Sequence, residues 1–504
     1  MKISKQFWFY FTVIAFPLFF VLHGVNEQFG LIRNVTIAEL LLYYILIAVL
    51  IAVAAAFFFK DYERATVFVF FILCIYFFFG ATKDAVKETF AGHFISRYSI
   101  SIPIVILLIC TSFFLIKKAR FSFIRAGLFI RTLLIVCLLL ETGILFYNIF
   151  TNKERQKDPG DIDHELIRNL KVDSARKPFI FWIVMDEYSG NTALKKRWHY
   201  DNPLDSILRT KGFFSADSAR SPYNYTHYSL ASTLDMIYLK GLKEHSVIGF
   251  RDIVKGNIAL RETNVVELLK MNGYNIHNYT IYNIDENPTK AHEYFVNADF
   301  KLIGNQTLSG RIAQDISWNF RNIFSADRKK ADSLDRSKGL EIEAKYRLSL
   351  LEEGLKAAQK AVNDTNPSFF MFHYMFTHEP FLYNADGSLD LNAGFGMAPE
   401  KYIPSITYAN KVMPGFIDSL KSIYRDKEFV IIIQGDHGYK FEEEDPLFDR
   451  EGCSILYSVY CSDRSYPGFN HSFNSVNGFR VLFNKYFRTN LPIQENLSIN
   501  LYYR

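Results

Sequence analysis

Hydrophobic positions are spread unevenly along the chain. Residues 1–150 hold five long runs rich in Phe, Leu, Ile and Val: about Phe7–Val25, Ile37–Phe59, Ala65–Ala81, Ile100–Ile116 and Gly127–Phe150. Crossing a bilayer takes roughly 20 mostly apolar residues, because its hydrocarbon core is about 30 Å thick. The pattern predicts a bundle of about five transmembrane helices. Lys2 and Lys5 before the first run resemble the start of a signal peptide. No small-residue cleavage site follows, and further apolar runs do, so an uncleaved helix is expected.

After Phe150 the pattern changes. Residues 151–177 are polar, with a breaker at Asp158-Pro159-Gly160, and read as a linker. From 178 to 504 short, fully apolar runs alternate with amphipathic stretches. Phe179–Met185, Phe369–Phe372 and Phe429–Ile433 are apolar at every position, the pattern of strands buried on both faces. Glu341–Val362 and Tyr402–Tyr424 carry apolar residues at three- and four-residue spacing, which predicts helices, and Val265–Met271 before Gly273 predicts a shorter one. Helices alternating with buried strands predict a three-layer α/β domain. Asn322–Gly339 is charged and weakly patterned, and is expected to be a surface excursion.

Composition refines this picture. The chain has 504 residues, 22% of them charged, and a net charge of +5. That charge is too small, and too evenly spread, to imply nucleic acid as a partner. Lys60, Arg64, Lys117, Lys118, Arg120 and Arg125 fall on the same side as Lys2 and Lys5. The side richer in Lys and Arg faces the cytoplasm, and five crossings then place residue 151 onward outside it. The expected location is the inner (plasma) membrane, multi-pass, with the C-terminal domain extracytoplasmic. Glu141 lies inside the fifth run, where an ionisable group is costly; a pairing with Arg131 or another helix is expected. Cys453 and Cys461 flank a stretch without a turn signal and are expected as free thiols.

Candidate chemistry gathers where the predicted strands end, the usual place for sites in open α/β sheets. The first strand ends in Asp186, with Glu187 next to it. The last ends in Gln434-Gly435-Asp436-His437-Gly438. The middle one leads into His373 and His378, the latter within Thr377-His378-Glu379-Pro380-Phe381. Mixed carboxylate and imidazole donors suit Zn²⁺ or Mn²⁺. A further stretch, Asn224 to Leu239, predicts a helix with Thr226 near its start. A hydroxyl there lies beside unpaired backbone N–H groups that favour a bound phosphate or sulfate. Thr226 also fits a simple helix cap, and Ser229 and Ser232 are further candidate hydroxyls.

In this order the motifs resemble the sulfatase-like branch of the alkaline phosphatase superfamily, and most of all its membrane-anchored group of lipoteichoic acid synthases and phosphoethanolamine transferases. Thr226–Leu239 looks like the nucleophile helix of that group, and Phe372–Phe381 like its histidine segment. Val476-Asn477-Gly478-Phe479-Arg480 through Tyr486-Phe487 looks like its C-terminal signature. The likeness covers roughly residues 178–490. It implies one divalent ion held by Asp186 (or Glu187), Thr226, Asp436 and His437, with Thr226 as nucleophile. It also implies substrate-binding histidines, matched by His378 and, more loosely, by His373 and His471. The Cys/Ser-x-Pro-x-Arg motif of formylglycine sulfatases does not occur.

The expected activity is metal-dependent transfer of a phospho-headgroup, of phosphoethanolamine or phosphoglycerol type, from a phospholipid donor to an envelope glycan or lipid. A covalent ester on Thr226 and proton donation by His378 carry the reaction. The alternatives are a phosphoester or sulfate-ester hydrolase and a catalytically silent binding or signalling protein.

Overall fold

The computed structural model describes residues 5–89, 92–151, 170, 176–261, 263–284, 287–291, 298–315, 328–394 and 399–503. Nearly all of the expected linker lies outside the described residues, as does the expected excursion up to residue 327. From Arg328 that excursion is part of a helix running to Ala361. The chain forms two compact units, Met1–Gln156 with Asn297–Ala326, and Lys157–Val296 with Asp327–Arg504.

The first unit is a membrane region. Its helices are α1 (Lys5–Glu27), α2 (Asn34–Phe59), α3 (Tyr62–Phe77), α4 (Phe79–Lys87), α5 (Gly92–Ile95), α6 (Tyr98–Lys118) and α7 (Ile124–Thr151). Four of them, α1, α2, α6 and α7, are long and apolar enough to cross a membrane; α3 and α4 make a fifth if counted as one span bent by 54°. The third expected span, Ala65–Ala81, therefore runs across a break at Phe78. Two short helices, Ala298–Gly304 and Leu308–Asp315, pack into this unit although sequence alone groups them with the C-terminal domain. Their connection meets the start of α4, where the Gly80 N–H donates to the Gln306 carbonyl at 2.7 Å. A Cβ on Gly80 would lie 2.4 Å from the Asn305 carbonyl oxygen. Ile303 joins the apolar core of the bundle, and Asp299 accepts from Arg33 Nε at 2.9 Å and from the Thr36 hydroxyl at 2.8 Å.

Glu141 does not pair with Arg131. Arg131 donates to Glu63 at 2.6 Å, buried between α3 and α7. Glu141 instead meets His23 Nδ1 at 2.8 Å and accepts from Asn26 Nδ2 at 2.7 Å, because α1 packs along α7.

The second unit is the expected α/β domain. Its strands are β1 (Phe179–Met185), β2 (Phe214–Ser215), β3 (Ser218–Arg220), β4 (Val247–Ile248), β5 (Asn275–Tyr279), β6 (Ser368–Tyr374), β7 (Phe429–Gly435), β8 (Tyr457–Cys461), β9 (Ser472–Asn474) and β10 (Tyr502–Tyr503). Six form one sheet in the order β2-β8-β7-β1-β6-β5. β5, β6, β1 and β7 run parallel, while β8 is antiparallel to β7 and to β2. β3 pairs with β9 and β4 with β10.

The all-apolar runs have their physical reason in two core layers. Ile180, Trp182 and Val184 face helices Thr226–Asp235 and Gly478–Phe487 through Leu230, Leu234, Phe479 and Phe483. Phe181, Ile183 and Met185 face helices Arg328–Ala361 and Pro399–Ile423 through Ala358, Ile406, Met413 and Ile417. Each fully buried side chain of this size contributes about 1.5–3 kcal/mol, so a strand covered on both faces is held far more firmly than an edge strand. Cys453 and Cys461 are both free and buried.

Candidate active site

Strand register builds the site. Met185 of β1 stands beside Tyr374 of β6 and Gly435 of β7, so the three carboxyl ends are level. Val184 pairs with His373 and with Gln434. Side chains alternate between faces, so Asp186, His373 and Asp436 all fall on the face of Val184. That face is covered by helix Thr226–Asp235. Residues widely separated in sequence therefore converge by period-two parity.

The three lie buried together. His373 Nε2 is 2.8 Å from Asp186 Oδ2. Ligand atoms of Asp186, His373 and Asp436 all lie within 4.8 Å of one another, the spacing of a metal site. Asp186 Oδ1 and Asp436 Oδ2 are buried with no hydrogen-bond partner among the described residues. Buried carboxylates with open oxygens are costly unless a cation completes them, so this donor set fits a divalent ion.

Thr226 faces the same cluster. Tyr225 occupies the cap position of its helix and Thr226 is the first helical residue, without a side-chain capping bond. The Thr226 hydroxyl instead lies 3.2 Å from His437 Nε2, which is 3.4 Å from Asp436 Oδ2. His437 Nδ1 is 2.7 Å from the Gly438 carbonyl, which only accepts. Nδ1 thus carries a hydrogen, and Nε2 is the ring nitrogen turned toward Thr226. The turn that holds Asp436 and His437 needs both its glycines. A Cβ on Gly435 would lie 2.4 Å from the Tyr188 carbonyl oxygen, and one on Gly438 2.5 Å from that of Glu451.

A matching family model, Sulfatase, covers residues 178–485. The chain belongs to the sulfatase family. It is an enzyme, with a membrane region ahead of its sulfatase-family domain. No curated protein matches the sequence. Among solved structures, the chain is similar to the C-terminal periplasmic domain of phosphoethanolamine transferase EptC from Campylobacter jejuni, at 11% identity over 65% of this chain and 95% of that one, with a TM-score of 0.37. It is similar to the integral membrane lipooligosaccharide phosphoethanolamine transferase EptA from Neisseria meningitidis, at 12% identity over 94% of each chain, with a TM-score of 0.34. A zinc complex of the periplasmic domain of EptC from Escherichia coli is matched at 14% identity over 61% of this chain and 82% of that one, with a TM-score of 0.35. Family membership rests on the sequence match and not on these distant likenesses.

Within this sulfatase-family site the remaining candidates sort themselves by contact. His378 is about one-third exposed, with Nε2 3.9 Å from Asp186 Oδ1 and Nδ1 2.6 Å from the Glu379 carbonyl. His373, expected at the substrate, is instead sealed against Asp186 with no side-chain exposure. His471 lies elsewhere: its Nδ1 is 2.8 Å from Asp217, its ring lies tilted with its centre 5.1 Å from that of Phe214, and its side chain is half exposed. The hydroxyls of Ser229 and Ser232 donate to the carbonyls of Asp436 and Ile237, so both are tied into the backbone. Ser229 thereby fixes a site residue, as Thr377 does through its bond to the Asp186 carbonyl.

Glu187 takes a different part from Asp186. It adopts a left-handed φ of 59°, which aims its N–H at Asp436 Oδ1, 2.8 Å away. Its carboxylate turns away from the cluster to accept from the Lys440 N–H at 2.8 Å. Burial pushes the Glu187 carboxyl up to about 8. Burial also works to raise Asp186, but His378 and His373 outweigh it and hold Asp186 below the usual carboxylate range. Burial pulls His373 down, and the hydrogen bond to Asp186 overcomes it and raises the imidazole.

Arg480 supports the Thr226 helix from its far end. It is buried and donates to the carbonyls of Met236 and Pro492, each at 2.6 Å. Nothing in the local pattern around Arg480 pointed to that helix-capping part.

Proposed function

We propose that this enzyme transfers a phospho-headgroup, of phosphoethanolamine or phosphoglycerol type, from a membrane phospholipid to an envelope glycan or lipid, through a covalent ester on Thr226. The observation that carries this reading is the Thr226 hydroxyl, 3.2 Å from His437 Nε2 and next to a buried, cation-seeking carboxylate pair. A hydroxyl so placed is a poised nucleophile.

Asp186, Thr226, Asp436 and His437 would hold one divalent ion, zinc or manganese, with His373 bonded behind Asp186. Such an ion, when bound, supplies positive charge that favours the Thr226 alkoxide and the charge on phosphoryl oxygens. The chain's own residues do the rest. Thr226 Oγ1 forms the bond to phosphorus and the diacylglycerol oxygen leaves. His378, partly exposed and within reach of Asp186, protonates that leaving oxygen. The acceptor hydroxyl then gives its proton to His378 and attacks phosphorus, the Oγ1–P bond breaks, and Thr226 regains its proton from solvent. The membrane region favours a lipid donor drawn from the same bilayer, and the Lys and Arg distribution favours an extracytoplasmic catalytic unit.

A hydrolase reading differs only in the acceptor, with water replacing the glycan, and the sulfatase family match favours keeping it. The two separate when lipid labelled in its headgroup is supplied with and without envelope glycan. Transfer predicts label on the glycan; hydrolysis predicts free headgroup in both samples. No release of label under either condition, with metal bound, would reject both.

A further inference from the structure

A cavity of about 280 Å³ is lined by residues that directly flank the two segments carrying the reactive groups. On one side it is lined by Asn224 and Tyr225, just ahead of Thr226; on the other by Tyr439 and Lys440, just beyond His437 and Gly438. The proposed mechanism leaves this space without a role.

Its lining is unusual in chemistry. Aromatic faces come from Tyr225, Tyr439 and Phe441, with the last two rings packed edge to face at 5.2 Å. Negative charge comes from three consecutive carboxylates, Glu442, Glu443 and Glu444, all exposed to solvent. The nearby Arg197 pairs with Asp445 instead, at 3.8 Å. Lys440, the one cation in the lining among the described residues, holds its ammonium 5.3 Å from the centre of the Tyr225 ring. Among the described residues, three carboxylates against one ammonium leave the lining net negative. Tyr439 is buried, and its hydroxyl has no hydrogen-bond partner among the described residues.

Carboxylates beside aromatic faces attract alkylammonium groups, and Lys440 over Tyr225 shows that contact already made by the protein's own side chain. The same lining repels anions and gives a neutral polyol no charge to meet. We propose that this cavity seats the cationic amine of the transferred headgroup, so that the enzyme selects aminoalkyl phosphoesters over glycerol phosphoesters. This rests on the reading of Thr226 as nucleophile, because it places the amine beside a phosphorus held at that residue.

Two soluble diesters with one leaving group test it: 4-nitrophenyl phosphoethanolamine and 4-nitrophenyl phosphoglycerol. With either, Thr226 Oγ1 bonds to phosphorus, the P–O bond to the nitrophenyl group breaks, and 4-nitrophenolate departs while the hydroxyl proton passes to solvent. Water then cleaves the Oγ–P bond. The full-length, metal-loaded enzyme should favour the ethanolamine ester by about tenfold in kcat/KM. Combining Glu442→Gln, Glu443→Gln and Glu444→Gln should bring that ratio close to one, mainly through a higher KM for the ethanolamine ester. Equal turnover of both esters by the natural enzyme overturns the proposal while leaving the nucleophile reading intact, and so does a preference that survives the triple variant. Turnover of neither ester counts against the nucleophile reading instead. In that event thermal unfolding with ethanolamine phosphate or glycerol phosphate decides: a larger shift with ethanolamine phosphate, lost in the triple variant, supports the cavity's role, and equal shifts overturn it.

Discussion

Asp436→Asn should have opposite effects on stability with and without metal. In the metal-free protein Asp186 and Asp436 are buried with ligand oxygens no more than 4.8 Å apart. Two unit charges 4.8 Å apart repel by about 3.5 kcal/mol at an effective dielectric of about 20, and His373 reduces this by offsetting part of the charge on Asp186. Asn keeps the oxygen that accepts the Glu187 N–H and removes the charge. The variant in chelator should therefore unfold no earlier than the natural protein, and as much as ~3 kcal/mol later. Metal reverses the order. At a hundredfold excess over Kd a bound ion stabilises the natural protein by about 2.7 kcal/mol, and the variant should gain almost none of this. The assay is thermal unfolding of the detergent-solubilised full chain, with chelator and across a zinc or manganese titration. A variant that keeps the whole metal-dependent shift would refute the ligand assignment. One that loses several kcal/mol in chelator would show that the carboxylates are a structural pair rather than an incomplete metal site.

Three further outcomes probe the surroundings. Arg480→Ala strands the buried carbonyl of Met236, while that of the exposed Pro492 can turn to water, and should cost about 1–3 kcal/mol in chemical denaturation, with activity per folded molecule largely retained. Gly80→Ala would press a Cβ 2.4 Å from the Asn305 carbonyl oxygen and should destabilise the membrane unit by about 1–3 kcal/mol, read by thermal unfolding in detergent. Glu187→Gln addresses pH: a carboxyl raised from 4.5 to about 8 gives stability that is present below pH 4.5 and lost as pH rises through 8. The metal-free natural protein should weaken across that window, and the variant should show a flatter profile.

Much of this architecture is legible in the sequence because burial on both faces leaves an unbroken apolar run. β1, β6 and β7 announce themselves in that way, and once they are aligned the site residues follow from alternation. Asn275–Tyr279 escapes the same reading because β5 is a half-buried edge strand with a polar sequence, Asn-Ile-His-Asn-Tyr. The placement of Ala298–Asp315 in the membrane unit is illegible for another reason: its contacts with Arg33, Thr36 and Gly80 join positions more than 200 residues apart. Glu141 meets the second of its expected alternatives, another helix, but its partners on α1 lie 118 and 115 residues away and no local spacing singles them out. Within the site, types and positions are readable, but parts are not. Sequence marks His373 as a histidine near a strand end, and only the register shows it enclosed behind Asp186.

The central claim is that Thr226 becomes covalently modified during turnover. The most direct measurement is mass spectrometry of the enzyme quenched while it consumes a phospholipid donor, with Thr226→Ala run in parallel. A phospho-headgroup mass on the peptide containing Thr226, located at that residue by fragmentation, is the expected result, with loss of both adduct and turnover in the variant by several powers of ten. An adduct on another residue, or a Thr226→Ala enzyme that turns over at the natural rate, would contradict it.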